Sequence, residues 1–307
     1  MTRYIIGVDL GGTNLKFGLL NLNYEIKDKK ILDTRKYLRK LRLIQVIIDS
    51  IKKIIKDNRL TKKDILGIGL GFPGPIDYRK GIVHFLPNIP GWKNVKLKAI
   101  LKKRLGMDIF MDNDANLMCL AEHKIGAAKG FRNAICLTLG TGVGGGLVIE
   151  NRLYRGGAYA AGEIGHVPIN EYGPRCNCNG RACLESYVGN QRIMASAKSL
   201  FKRKISLEEL SRLARDGNKK AISIWQETGR KLGVALSGVV NLLNPDCIVI
   251  GGGLSNVGGV LFKNIINTIK DRAMPVQAGH VKILKAKLGE DAGIMGAAIM
   301  VKMRGAR

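Results

Sequence analysis

The chain has 307 residues and a net charge of +27, from 51 Lys plus Arg against 24 Asp plus Glu. That length allows two domains with real cores. The absence of any run of about twenty uncharged apolar residues argues against a membrane span, and a first apolar run interrupted by Asp9 argues against a signal peptide, so a cytoplasmic chain is expected. The basic excess points either to a polyanion or to Lys-rich solvated helix faces. Basic residues are dispersed through 27–63, 93–104, 198–204 and 212–231, without interleaved aromatic residues for base stacking. No nucleic-acid or membrane partner is therefore expected, and polyphosphate stays open as a ligand.

In chain order, Val8 to Phe17 (VDLGGTNLKF) comes first and reads as strand, glycine turn and second strand. Glycines there allow positive φ and close approach of a ligand to bare backbone. Thr13 and nearby N–H groups could cradle an anion, and Asp9 is placed to hold Mg²⁺, directly or through water. An irregular basic stretch spans 21–40, and apolar spacing from Leu41 to Lys56 predicts an amphipathic helix. A buried strand is predicted over 65–72, stopped by Pro73-Gly74-Pro75. A two-proline loop at 87–92, a helix over 95–105 and a strand over 108–111 follow. Asp112-Asn113-Asp114 then opens a helix to about Gly126, with Asp and Asn as good N-caps.

Cys136 to Ile149 (CLTLGTGVGGGLVI) repeats the strand–turn–strand pattern. Two such units suggest a duplicated domain that grips a nucleotide's phosphates from both sides. A loop over 151–189 follows, long enough to suggest function or metal stapling. The pattern over 191–243 is mostly helical. A strand over 246–250, a Gly251-Gly252-Gly253 triplet, a helix over 259–272, a strand over 281–284 and a helix over 292–303 close the α/β pattern.

Cys119, Cys136 and Cys247 lie singly in apolar segments and read as core residues. His166, Cys176, Cys178 and Cys183 share one loop. One His and three Cys suit tetrahedral Zn²⁺ with no open position, hence a structural rather than a catalytic metal; the alternative is three loop thiols and a solvated histidine. Asp114 at a helix start after a strand could accept a proton from an attacking hydroxyl, or it could merely cap the helix.

GVDLGGTNLKFGLL and LTLGTGVGGGLVI resemble the two phosphate motifs of the sugar-kinase/actin/Hsp70 superfamily, and specifically those of the ROK sugar kinases. DNDAN, GEIGH and the cysteine loop fall in that family's order, so the resemblance covers Ile6 to Gly296. It implies an actin-like (ribonuclease H-like), duplicated two-domain α/β fold with an interdomain active-site cleft. The expected domains are 1–113 plus 292–307, and 114–291 with a zinc-binding loop.

The resemblance also implies ATP-dependent phosphorylation of a hexose 6-hydroxyl, with glucose the leading substrate. N-acetylmannosamine, N-acetylglucosamine, fructose or allose, polyphosphate as donor, and a non-catalytic sugar-sensing regulator are the alternatives. The family's repressors carry a DNA-binding domain ahead of the first motif, which here begins at residue 6. By family analogy Asp114 is the base. Gly74, Asn88, Asn113, Asp114, Glu163, His166 and Glu185 contact sugar. Asp9, Gly11, Gly12, Thr13, Lys16, Thr141, Gly142, Gly252 and Gly253 hold Mg²⁺-ATP, and His166, Cys176, Cys178 and Cys183 bind Zn²⁺. A homodimer or homotetramer is expected on the same basis. Asn179 and Ala182 stand where this family usually has Gly; the expectation is that Gly180 absorbs the turn, since Ala tolerates left-handed backbone poorly.

Overall fold

The computed structural model describes residues 3–86 and 89–305. In chain order its elements are β1 (Tyr4–Leu10), β2 (Asn14–Asn21), β3 (Ile26–Asp33), α1 (Lys40–Asp57), β4 (Ile65–Phe72), β5 (Ile76–Asp77), β6 (Ile82–Val83), α2 (Leu97–Leu105), β7 (Ile109–Asn113) and α3 (Asp114–Ile125). There follow β8 (Ala134–Leu139), β9 (Val143–Ile149), β10 (Arg152–Tyr154), α4 (Glu185–Val188), α5 (Asn190–Phe201), α6 (Leu207–Arg215) and α7 (Lys219–Leu243). The last are β11 (Cys247–Gly251), α8 (Gly259–Arg272), α9 (Pro275–His280), β12 (Lys282–Lys285) and α10 (Ala292–Gly305). Among the described residues no helix is long and apolar enough to cross a membrane.

The chain forms two compact units. Met1–Lys129, Arg152–Ala161 and Leu288–Arg307 make the first; Gly130–Asn151 and Gly162–Lys287 make the second. The boundary expected at Asn113 is therefore corrected: α3 belongs to the first unit. Its Leu117 packs against Gly71 on β4 and against Gly296 on α10, where a Cβ would strike it.

The first sheet runs β3-β2-β1-β4-β7. β1 and β2 form an antiparallel hairpin, and β4 and β7 add in parallel. β3 corrects the expectation of irregular chain over 21–40. Its alternation is half-exposed and Lys-rich, as suits a solvated edge strand, and so carries little apolar signal. Successive side chains point to opposite faces. Ile6, Val8 and Leu10 of β1, with Ile68, Leu70 and Phe72 of β4, join the core that holds Leu43, Ile47, Ile51, Leu97 and Leu101 of α1 and α2. Ile5, Gly7 and Asp9 of β1 and Gly67, Gly69 and Gly71 of β4 face α10 and α3, and most of them are glycine. Gly7 pairs with Gly69 and Asp9 with Gly71. A Cβ on Gly7 would run into the Ile294 carbonyl, and one on Gly69 into that of Ala297.

That glycine track lets α10 lie directly on the sheet, and Asp9 sits at its end. Gly7→Ala should therefore destabilise the fold by about 1–3 kcal/mol or more, because backbone must move. Gly238→Ala, on α7 with open space around it, should stabilise by roughly 0.5–1 kcal/mol. Urea titration of the two variants checks both signs.

The second unit repeats the scheme. β8 and β9 form the antiparallel hairpin, and β11 and β12 add in parallel on the β8 side. β1-β2-β4-β7 thus correspond in order to β8-β9-β11-β12, the duplication that the two Gly/Thr turns implied. Trp225 is fully buried in α7, and Cys136 and Cys247 are core residues of the paired strands β8 and β11.

Candidate active site and metal centre

In the first unit the two carboxylates singled out by the sequence come together. A Cβ built on Gly71 would lie 3.5 Å from both Asp9 Oδ1 and Asp114 Cα, so the absence of a side chain there lets the two residues approach. Gly293, at the start of α10, closes the other side of Asp9. Burial pushes the Asp9 carboxyl up to about 7, and neighbouring Asp114 pushes the same way; Lys16, its cross-strand partner, opposes them. Asp114 itself is partly exposed.

The three residues of the DND string do three different things. Asn113 is the helix cap: its Oδ1 accepts from the N–H groups of Ala115 (2.9 Å) and Asn116 (3.2 Å). Its Nδ2 donates to the Gly74 carbonyl (3.2 Å), tying the GFPGP loop to the start of α3. Gly74 takes φ +86. Asp114 is the first helical residue, and its Oδ1 accepts from the Ala115 N–H at 2.8 Å. Asp112 is buried and paired with Arg155. The sequence reading missed Arg155 because it lies in a loop some forty residues further on.

The first turn is braced from outside. Thr34 N–H donates to the Thr13 carbonyl (2.9 Å) and Thr34 Oγ1 to that of Gly11 (3.0 Å). Gly12 lies between these two braced residues. Lys16 Nζ donates to the Glu290 carbonyl at 2.8 Å. Gly11 and Gly142 have no positive φ, contrary to the expectation for such turns. Proximity explains them instead: a Cβ on Gly11 would lie 3.2 Å from the Asn14 carbonyl, and one on Gly142 would strike the Glu185 carboxylate. Asn88 lies outside the described residues.

In the second unit the turn through Gly140, Thr141 and Gly142 is held by the α4–α5 segment. Val143 N–H donates to Glu185 Oε2 (2.8 Å), and Asn190 N–H to the Gly140 carbonyl (3.1 Å). Gly252, at φ +79, abuts Leu139 so closely that no Cβ fits, and Gly253 begins the following helical turn. Glu185, two residues after Cys183, thus reaches the glycine turn.

His166, Cys176, Cys178 and Cys183 gather with their ligand atoms within 4.8 Å of one another. His166 Nδ1 lies 3.6 Å from Cys176 Sγ, and Cys178 Sγ 3.7 Å from Cys183 Sγ. A tetrahedron with roughly 2.3 Å metal–sulfur bonds has edges of about 3.8 Å, so the donor set fits Zn²⁺. All three thiols are free. His166 Nε2 faces Glu163 Oε2 at 3.9 Å. Burial raises the Glu163 carboxyl, His166 lowers it and Glu185 raises it further. The loop turns at Asn179 (φ 70) and at Ala182 itself (φ 55), so Gly180 does not absorb the turn as expected. Ala182 is fully buried there, and its strain is of order 1 kcal/mol.

Two α/β units, each a hairpin extended by parallel strands and each ending its hairpin in a Gly/Thr turn, define the actin-like class of fold. The ROK family profile matches residues 5–304, and the chain belongs to the ROK family. It is 35% identical to a glucokinase of Thermotoga maritima, over 98% of each chain. It is 31% identical to a xylose repressor of Caldicellulosiruptor bescii, over 97% of this chain and 77% of the repressor. A ROK glucokinase of Streptomyces griseus, solved with glucose and AMPPNP, superimposes with a TM-score of 0.84 at 28% identity, covering 98% of this chain and 99% of that one.

Asp9 gives a pH-dependent prediction. Its folded value of about 7 exceeds the ordinary 3.8, so ionised Asp9 costs stability that grows as pH rises from about 4 through 7. Asp9→Asn should melt higher than wild type at pH 8 and show little difference near pH 4. A divalent cation held at Asp9 would favour its carboxylate, so Mg²⁺-nucleotide binding there near pH 7 would release a proton in wild type but not in Asp9→Asn. Calorimetry in buffers of different ionisation enthalpy measures that release.

Proposed function

We propose that this protein is an ATP-dependent hexose kinase that transfers a phosphoryl group to the 6-hydroxyl of glucose. The observation that carries the reading is the approach of Asp9 and Asp114 across Gly71, at the C-terminal ends of parallel strands, where ligands bind in open α/β sheets. Likeness to named glucokinases across nearly the whole chain supports the same activity.

Asp114 accepts the proton of the sugar hydroxyl as it attacks. Asp9 holds Mg²⁺, which when bound neutralises charge on the phosphates. Gly11, Gly12 and Thr13 of one turn, and Thr141 and Gly142 of the other, present backbone N–H groups to phosphate oxygens. Gly252 and Gly253 border the nucleoside. Asn113, Gly74, Asn88, Glu163, His166 and Glu185 bond the sugar hydroxyls. A site built to bond hydroxyls rejects sugars that leave those groups unpaired. His166 uses Nδ1 for the metal and leaves Nε2 for Glu163 and the sugar. The cysteine cluster holds a structural Zn²⁺ that fixes the loop carrying Glu163 and Glu185. A soluble, cytoplasmic homodimer or homotetramer is the form proposed for the working enzyme.

The test is ADP release from Mg-ATP across a panel of hexoses and N-acetylhexosamines, with polyphosphate compared as donor at equal phosphate. Preference for glucose and ATP supports the reading. A stronger response to an acetylated sugar or to polyphosphate changes substrate or donor within the same chemistry. No turnover with any pair, on folded metal-loaded protein, overturns it.

A further inference from the structure

We propose that Arg155 is a positioning residue for the Asp112–Asn113–Asp114 turn, and hence for the proposed base. The inference rests on the kinase reading above. Arg155 lies in a short strap, Arg152–Ala161, that packs as part of the first unit although sequence neighbours on both sides belong to the second. The strap closes on itself: the Ala161 N–H donates to the Arg155 carbonyl at 3.0 Å, around Gly156 at φ +71. Its guanidinium donates twice to one oxygen of Asp112, from Nε at 2.8 Å and Nη2 at 2.6 Å. The other oxygen, Oδ1, is left for the Asn113 N–H at 2.9 Å and the Asn116 Nδ2 at 3.1 Å.

Asp112 thus accepts four hydrogen bonds, two from the strap and two from the turn that opens α3. It is 2% exposed, so its charge has little water to fall back on. Arg155 is fixed from behind as well. Its guanidinium lies 4.3 Å from the Tyr78 ring centroid, and Tyr78 packs edge-on against Tyr159 of the strap at 4.9 Å. Arg304 of α10 stacks over the same ring. The cation that neutralises Asp112 is therefore held by the Tyr78 face and a closed loop, in the planar geometry that only Arg supplies.

Removing the guanidinium leaves a buried carboxylate without its counter-charge, one residue from the α3 cap and two from Asp114. The carboxylate must then turn toward water or another donor, which disturbs its bonds to Asn113 and Asn116. The base would move by a fraction of an ångström, and small displacements of a reacting group cost large factors in rate. Arg155 bonds Asp112 and the Leu153 carbonyl, and the proposed function gives it no contact with sugar or nucleotide. The loss should therefore fall mainly on kcat and spare the KM for ATP, with a smaller rise in the sugar KM through Asn113.

The experiment is steady-state kinetics of Arg155→Ala and Arg155→Lys with Mg-ATP and the sugar that wild type prefers, with melting curves alongside. Arg155→Ala should lose at least about tenfold in kcat, with the KM for ATP within about twofold of wild type and the sugar KM raised by less than the loss in kcat. Millimolar guanidinium should restore part of that kcat, and should restore nothing to Asp114→Asn. Arg155→Lys keeps the charge without the fork and should remain impaired, which keeps the proposal testable if the alanine variant fails to fold. A folded Arg155→Ala with wild-type kcat, or with a defect confined to KM, overturns the positioning role while leaving the kinase reading intact. Wild-type protein inert toward every sugar overturns both.

Discussion

Replacing Asp114 with Asn should lower kcat by roughly 10²–10⁴ and leave the protein folded. The side chain that caps α3 is Asn113, whose Oδ1 takes the Ala115 and Asn116 N–H groups. Asp114 follows it and contributes one bond to the Ala115 N–H, which an Asn can also accept. Loss of the carboxylate removes a proton acceptor and one of two adjacent negative charges, and removes no packing. Asp9 should consequently titrate lower in Asp114→Asn, because the neighbour that helps push it up is gone. Melting temperature should stay within a few degrees of wild type. Asn113→Ala should do the opposite at the level of the fold, costing about 0.5–2 kcal/mol through the lost cap. Circular dichroism with single-turnover kinetics separates the two. Wild-type turnover in Asp114→Asn would remove the proposed base.

The second large effect is expected at the cysteine cluster. The purified protein should carry one Zn²⁺ per chain by elemental analysis, and Cys178→Ser should carry little or none. Structural zinc sites of this ligand type contribute of order 10 kcal/mol to the order of the segment they close. Here the loop has some backbone scaffolding of its own: Cys176 N–H donates to the Gly180 carbonyl at 2.9 Å, and Ala182 N–H to that of Pro174 at 2.9 Å. Part of the cost is therefore already met, and Cys178→Ser should fold with a lowered melting temperature rather than fail outright. Its sugar KM should rise at least tenfold, because the loop carries Glu163 and leads into Glu185. Glu185 also accepts the Val143 N–H, so affinity for ATP should fall as well, though less. Zinc-free wild type with an unchanged sugar KM would show that the thiols are not a metal centre.

Most of the elements follow from periodicity alone. The helix over 40–57, the buried strand over 65–72 and the second hairpin have strong 3.6- or 2-residue patterns, and local patterns suffice for them. β3 was hidden because Lys27, Lys29 and Lys30 populate a solvated edge strand where no apolar alternation is required. The His/Cys cluster was legible because its ligands lie within one loop. The Asp112–Arg155 pair was not, since its partners are brought together by chain folding between distant segments.

The sequence alone determined that this is a duplicated α/β chain with two Gly/Thr turns, a His/Cys₃ loop and a carboxylate at a helix start. Those features are local, and each is written in a run of about fifteen residues or a single spacing. Tertiary structure decided the assignment of α3 to the first unit, the approach of Asp9 to Asp114 and the burial of Asp112 under Arg155. It also decided why the glycines matter. Gly7 lies on β1 and Gly69 and Gly71 on β4, and only pairing in register aligns them into a track narrow enough for α10 and α3 to touch the sheet. A one-residue pattern cannot state a distance between segments, and the proposed chemistry depends on such distances.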